Sequence, residues 1–212
     1  MGPGWQAARG MLLRLRRFRG MMAASNLQKL MGEAVTNHRA GRLAEADRLY
    51  RRVLAVEPSN ADALHLLGVV AYQSGHTRIA IDLISRAIGI TPAIATYHVN
   101  LAQALAAAAE NERAVLSLRA AAASNPTAQD CRVISAICEQ LGRGTDAIAF
   151  ARRAATMLPD NALYHAELAR LLAAQGRVDD AYDSAATAIA LDPGCSEAME
   201  VKDRLDRQKS VR

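Results

Sequence analysis

Five histidines and three cysteines are the side chains of this 212-residue chain best suited to hold a metal, move a proton or attack a substrate. They are His38, His65, His76, His98 and His165, with Cys131, Cys138 and Cys195. A zinc site needs ligand pairs closely spaced along the chain, and no CxxC pair or HExxH helix occurs. Cys131 and Cys138 are spaced to share one helix face, which suits small core residues. Without an even-numbered framework or a secretory signal, the cysteines read as reduced thiols of a cytoplasmic protein. The phosphate-cradling GxxxxGK[ST] loop and the GxSxG nucleophile elbow are missing as well. The sequence assembles no catalytic set, so the expectation is a non-enzyme without metal or cofactor.

The elements that carry these residues follow from composition. Apolar residues make up 51% of the chain and aromatics only 4%, and alanines run together over 106–109 and 120–123. Alanine has the highest helix propensity and lets helices approach closely, and no alternating Val, Ile or Thr run suggests a strand. The expected class is all-α. Charge is distributed unevenly. Residues 1–24 hold Arg9, Arg14, Arg16, Arg17 and Arg19 and no acid, whereas residues 25–212 hold 21 basic and 21 acidic residues. The formal net charge of +5 therefore belongs to the first 24 residues, and the neutral body has no basic excess to offer phosphates. Nucleic acid is not an expected partner. Arginine outnumbers lysine 23 to 3, which with the alanine content suggests a GC-rich bacterial genome.

An internal repeat organises the chain. Apart from Pro3, the prolines fall at Pro58, Pro92, Pro126, Pro159 and Pro193, in steps of 34, 34, 33 and 34. Gly41, Gly75, Gly142 and Gly176 echo that period, with Ala109 in the missing place, and Ala46, Ala80, Ala114, Ala147 and Ala181 form a third series. Glycine suits the end of a first helix, where the chain turns through a left-handed cap. Alanine suits a close crossing of two helices, and proline stops the second helix. Helix pairs are expected at about 27–40 and 43–56, 61–74 and 77–90, 95–108 and 111–124, 128–141 and 145–157, and 162–175 and 178–191. The fourth unit is one residue short, a loss expected in the loop after Pro126, with a small kink there.

This pattern resembles the tetratricopeptide repeat (TPR) family, whose motif reads W-x2-L-G-x2-Y, then A-x3-F, then P. The second unit places Leu64, Leu67, Gly68, Ala71, Ala80, Ile84 and Pro92 at those points. Ala34, Ala102, Ser135 and Ala169 stand at the glycine place of the other units, and the likeness covers residues 27–193. It implies a right-handed superhelical solenoid of five helix-turn-helix repeats, at about 27–60, 61–94, 95–127, 128–161 and 162–195, within a domain spanning 25–212. Past Pro193 the register puts Lys202, Asp203 and Asp206 where apolar residues would stand, so 196–209 is expected to be a capping helix with Ser196 as its N-cap.

In that family the first helices line a concave groove that takes a peptide of a partner protein. The places implied here are Met31, Val35 and His38, then His65, Val69, Tyr72 and Gln73, then Asn100 and Gln103, then Arg132, and finally Arg170. The lining is apolar and aromatic at its start, with amides and isolated arginines further on. His98 and His165 fall at the motif's tryptophan place, where partial burial is expected. The lysine and asparagine clamp of chaperone-binding relatives is missing: Met31, Val35, Leu66, Thr96 and Asn100 occupy its places. Residues 38–58 and 61–75 are similar to the repeat region of bacterial O-linked N-acetylglucosamine transferase-like proteins, without a transferase domain.

Within residues 1–24, Met11, Leu15, Phe18 and Met22 would share one helix face. An Arg-rich amphipathic helix can lie on an anionic membrane; a disordered or over-extended start is the other reading. The function expected is a scaffold or adaptor that binds a protein or peptide. The alternative is an accessory subunit of a glycosyltransferase or envelope-assembly system, held peripherally at the membrane by the basic tail.

Overall fold

Left-handed backbone positions punctuate the chain at its sequence period. Gly41, Gly75, Gly142 and Gly176 have φ of 72°, 81°, 71° and 73°, and Ala109 adopts the same turn at 59°. Each closes a first helix through the same pair of hydrogen bonds. In the second pair the Gly75 N–H donates to the Tyr72 carbonyl at 3.0 Å and the His76 N–H to the Ala71 carbonyl at 2.8 Å. Glu110 donates to the Leu105 carbonyl in the same way, so the turn persists where alanine replaces glycine.

The computed structural model of the chain describes residues 25–209. The tail read over residues 1–24 lies outside the described residues. Among the described residues every regular element is a helix. Two compact units divide the chain, one ending at Pro92 and one beginning at Ala93. In the first unit, α1 (25–39) and α2 (Leu43–Val56) are followed by α3 (Ala61–Gln73) and α4 (Thr77–Ile90). The second holds α5 (Ala95–Ala107), α6 (Asn111–Ala123), α7 (Ala128–Gln140), α8 (Gly144–Met157), α9 (Ala162–Ala174), α10 (Val178–Leu191) and α11 (Ser196–Lys209). Within a pair the helices pack on each other, and each pair also packs on the next helix of its own unit.

Close crossings hold each pair together. Ala46, Ala80, Ala114, Ala147 and Ala181 are all fully buried. Opposite Ala80, α3 presents Gly68, where a Cβ would stand 2.6 Å from Ile84 Cγ1 and 3.3 Å from the Ala80 carbonyl oxygen. The matching place in α7 is Ser135, whose hydroxyl donates to the Ala147 carbonyl at 2.8 Å, so a buried polar group is satisfied at the crossing.

The residue missing from the fourth unit is lost elsewhere than expected. Every loop between pairs has four residues, but α6 has 13 residues where α4, α8 and α10 have 14. Asn125, at φ 52°, ends α6 early, and asparagine tolerates that left-handed conformation better than most residues. The Ser124 N–H accordingly bonds Ala121, a tighter closure than the Thr91-to-Ala87 bond ending α4. Pro126 therefore stands one place later in its loop than the other four prolines, and it alone of the five is buried.

The last helix also starts differently. Cys195, not Ser196, occupies the N-cap position, its carbonyl accepting the Met199 N–H at 3.1 Å. The constant four-residue loop, Asp192 to Cys195, forces that register. Ala198, Val201 and Leu205 are buried against the unit, while Asp203 and Asp206 are exposed, and the Lys202 ammonium lies 5.6 Å from the centre of the Tyr182 ring.

Candidate functional site

First helices keep one face open, and its stride is visible on α3. Asp62 and Gln73 are exposed and Leu66 and Val69 half-buried, a 4-3-4 spacing along one helix side. His65 does not belong to this face: it is 6% exposed. It lies one turn from Gly68, the residue pressed on Ile84, so its side of α3 points into the core. The same inward turn buries Val99 of α5 and Ala166 of α9 at matching places, whereas Arg132, at that place of α7, is only half-buried and its long side chain reaches Glu167. Burial is the main influence on the His65 imidazole and lowers its pKa to about 4, with Asp62 opposing and His38 adding to the effect.

The other residues read from the sequence in the first unit keep part of their surface in solvent. Met31, Val35, Val69 and Tyr72 are half-buried on α1 and α3. His38 Nε2 lies 3.0 Å from Gln73 Oε1 and so donates to it, leaving Nδ1 to accept from the Tyr50 hydroxyl at 3.5 Å. The two rings meet edge-on at 85°, 6.2 Å apart. Tyr50 itself is fully buried, which pushes its hydroxyl up to about 12. This chain of contacts fixes His38 and ties α1 to α3.

On the second unit the open face begins with Asn100 and Gln103, both half-buried on α5, and then becomes charged. Arg132 and Arg170 are not isolated as expected. Arg132 donates to Glu167 at 3.0 Å, and Arg170 grips Glu139 with both Nη atoms, at 2.6 and 2.8 Å. Arg170 Nε also lies 3.3 Å from Glu197. Stacking of the repeats sets these pairs, because each partner stands about one period away on the neighbouring first helix. Glu139 and Glu197 escape a motif-based reading, and the signal for them was the 31- and 27-residue offset from Arg170. The Arg170 fork holds the Glu139 carboxyl below its usual range, whereas burial raises that of Glu167 against the pull of Arg132.

His98 and His165 are half-buried, and the His165 Nε2 donates to the Pro159 carbonyl at 2.8 Å. Cys131 and Cys138 are buried, which raises both thiols, Cys138 to about 11. Among the described residues no group of three or more His, Cys, Asp or Glu could hold a metal ion, and no helix is long and apolar enough to cross a membrane.

A tetratricopeptide repeat family model matches residues 38–93 and 139–196, more than half of the sequence. The chain belongs to the tetratricopeptide repeat family. The matched stretches leave out the third TPR unit, the one with Ala109 for glycine and the shortened α6. Solved structures share the fold of this TPR protein at low identity. The Pseudomonas aeruginosa pilF protein matches at 16% identity and a TM-score of 0.72, covering 87% of this chain and 84% of that one. A thermophilic TPR protein of Thermus thermophilus matches at 22% and 0.65, covering 85% and 97%. YrrB, described as a TPR protein with an unusual peptide-binding site, matches at 14% and 0.63, covering 77% and 84%. No curated protein sequence matches the chain.

Proposed function

We propose that this TPR protein is an interaction scaffold that holds a partner peptide on the open faces of its first helices. The observation that carries this reading is the surface of α1 and α3. Met31, Val35, Val69 and Tyr72 leave part of their apolar and aromatic area in water beside the fixed His38–Gln73 pair. An apolar anchor of a peptide gains by covering such a surface, and the amide of Gln73 can bond its backbone. The second unit's own open face carries the amides of Asn100 and Gln103, while Arg132 and Arg170 serve the protein's own carboxylates. This face suits a peptide with apolar side chains better than one ending in clustered acids. The solved YrrB structure is of a TPR protein with a peptide-binding site, which agrees with that use of the fold. The reading takes residues 25–212 as one interaction domain, working in the cytoplasm with its buried thiols reduced.

The test is a randomised peptide library selected on the whole chain, then titrated against Val69→Ser and Tyr72→Ala. Selected peptides should share an apolar anchor and lose about tenfold in affinity for each variant, a loss of about 1.4 kcal/mol. Unchanged helical circular dichroism would show that the variants fold. Affinity untouched by both substitutions would remove this surface from the binding site.

A further inference from the structure

The second helices carry one charge arrangement in two states. In α2, Asp47 holds Arg51 one turn later through Nε and Nη2, at 2.7 and 3.0 Å. Two periods on, α6 has Val115 and Arg119 at those places. Valine cannot answer a guanidinium, and among the described residues no carboxylate pairs with the exposed Arg119.

Arg119 borders a cavity of about 170 Å³ between α6 and α8, within the second unit. Val115, Leu118 and Ala122 of α6 and Phe150 of α8 give it apolar walls, and Cys138 of α7 completes them. Arg143 and Asp146 also line it, but they serve each other, the Arg143 Nε donating to Asp146 Oδ2 at 2.6 Å. Of two guanidiniums and one carboxylate in the lining, the carboxylate is therefore taken and Arg119 is left over. A single positive charge stands beside an apolar hollow. The next repeat lacks this combination, because the cleft lined by its equivalent arginine, Arg152, also holds the carboxylate of Asp183.

We infer that this cavity binds a small monocarboxylate whose apolar body has the size of one branched or aromatic side chain. Volume sets the body: the space lies below the roughly 300–1,000 Å³ of pockets for larger ligands, so one compact group fills it. The walls set its polarity, since a polar body among Val115, Leu118 and Phe150 would leave its hydrogen bonds unmade. Arg119 sets the head group. A planar guanidinium meets a carboxylate through two parallel N–H···O bonds, and its exposed position avoids the full cost of desolvating the pair. The site shares no residue with the α1 and α3 surface and does not rest on the peptide-binding reading.

The experiment is a titration of the full isotope-labelled chain with sodium isocaproate at pH 7, read by amide shifts and by magnetisation transfer from the ligand methyls to the Phe150 ring. Saturable shifts are expected over α6 and at Cys138 and Phe150. The neutral isostere isocaproamide and the bodiless acetate should each bind at least tenfold more weakly. Arg119→Gln should lose as much, and so should Val115→Asp, which recreates the α2 pair and occupies Arg119. Ala122→Phe should fill the cavity and abolish binding with Arg119 in place. Acid and amide binding alike overturns the inference, as does unchanged affinity in Arg119→Gln or no shift around the cavity. So does binding of N-acetyl-leucine without binding of isocaproate, which would give the cavity to a polypeptide end. Arg119 is exposed, so its variant keeps the test decisive should Val115→Asp or Ala122→Phe fail to fold.

Discussion

Arg170 and Glu139 form a two-pronged ion pair across neighbouring first helices, with Nη1 and Nη2 at 2.6 and 2.8 Å from the two carboxylate oxygens. The Arg170 and Glu139 side chains are 39% and 40% exposed, so solvent screens much of the attraction. A double-mutant cycle of Arg170→Ala and Glu139→Ala should give a coupling between about 0.2 and 1 kcal/mol, shrinking with salt. The fork lowers the folded pKa of Glu139, so its contribution is complete above the unfolded carboxylate value and lost as pH falls through the folded one. A coupling that persists unchanged at pH 2 would contradict the pairing.

Buried His65 predicts an acid sensitivity of the first unit. Its imidazole has a folded pKa of about 4 against about 6.5 in an unfolded chain, so only the unfolded chain binds a proton in between. Stability should be flat above pH 6.5 and decline as pH falls toward 4, by on the order of 3 kcal/mol. Urea titrations at pH 7 and pH 4.5 measure it. The stability difference between the parent and His65→Leu should change by most of that amount between the two conditions; parallel pH profiles would refute the burial argument.

Ala109 holds a conformation that glycine holds at the four matching turns. A left-handed residue with a Cβ costs roughly 1–2 kcal/mol, partly offset by the larger entropy that glycine loses on folding. Ala109→Gly should stabilise the second unit by about 1 kcal/mol, and Gly75→Ala should destabilise the first by a similar amount. Thermal melts of both variants decide this, and two shifts of the same sign would count against the shared turn.

The crossing points are the places least able to accept volume. Gly68→Leu must displace Ile84, and Ala114→Trp must part α5 from α6 around a fully buried methyl. Each should cost about 3 kcal/mol by overpacking. Hydrogen exchange should report the loss from α3 and α4 for the first variant and from α5 and α6 for the second. Equal loosening throughout both variants would show that the units do not melt as repeat stacks do.

Much of the fold was legible because repetition converts local signals into a register. One glycine proves little, but Gly41, Gly75, Gly142 and Gly176 at one spacing mark four helix ends, and Ala109 inherits its place from them. α2, α4 and α10 begin and end where the spacing predicts. The end of α6 was less legible, because Pro126 sits on the 34-residue count while the backbone reaches it through a left-handed Asn125. A proline count records where a residue stands in sequence and not which turn leads to it.

The sequence by itself determined the all-α class, the helix pairs, their close crossings and the family, since all of these rest on contacts within one repeat or on a pattern that recurs. Tertiary structure alone decided which side of each first helix stays open. His65 was turned into the core by the approach of Gly68 to Ile84, and Arg132 and Arg170 were claimed by Glu167, Glu139 and Glu197. The ion pairs depend on side chains about 30 residues apart meeting across neighbouring helices. Their pairing energy is too small and too local to leave a period in the sequence.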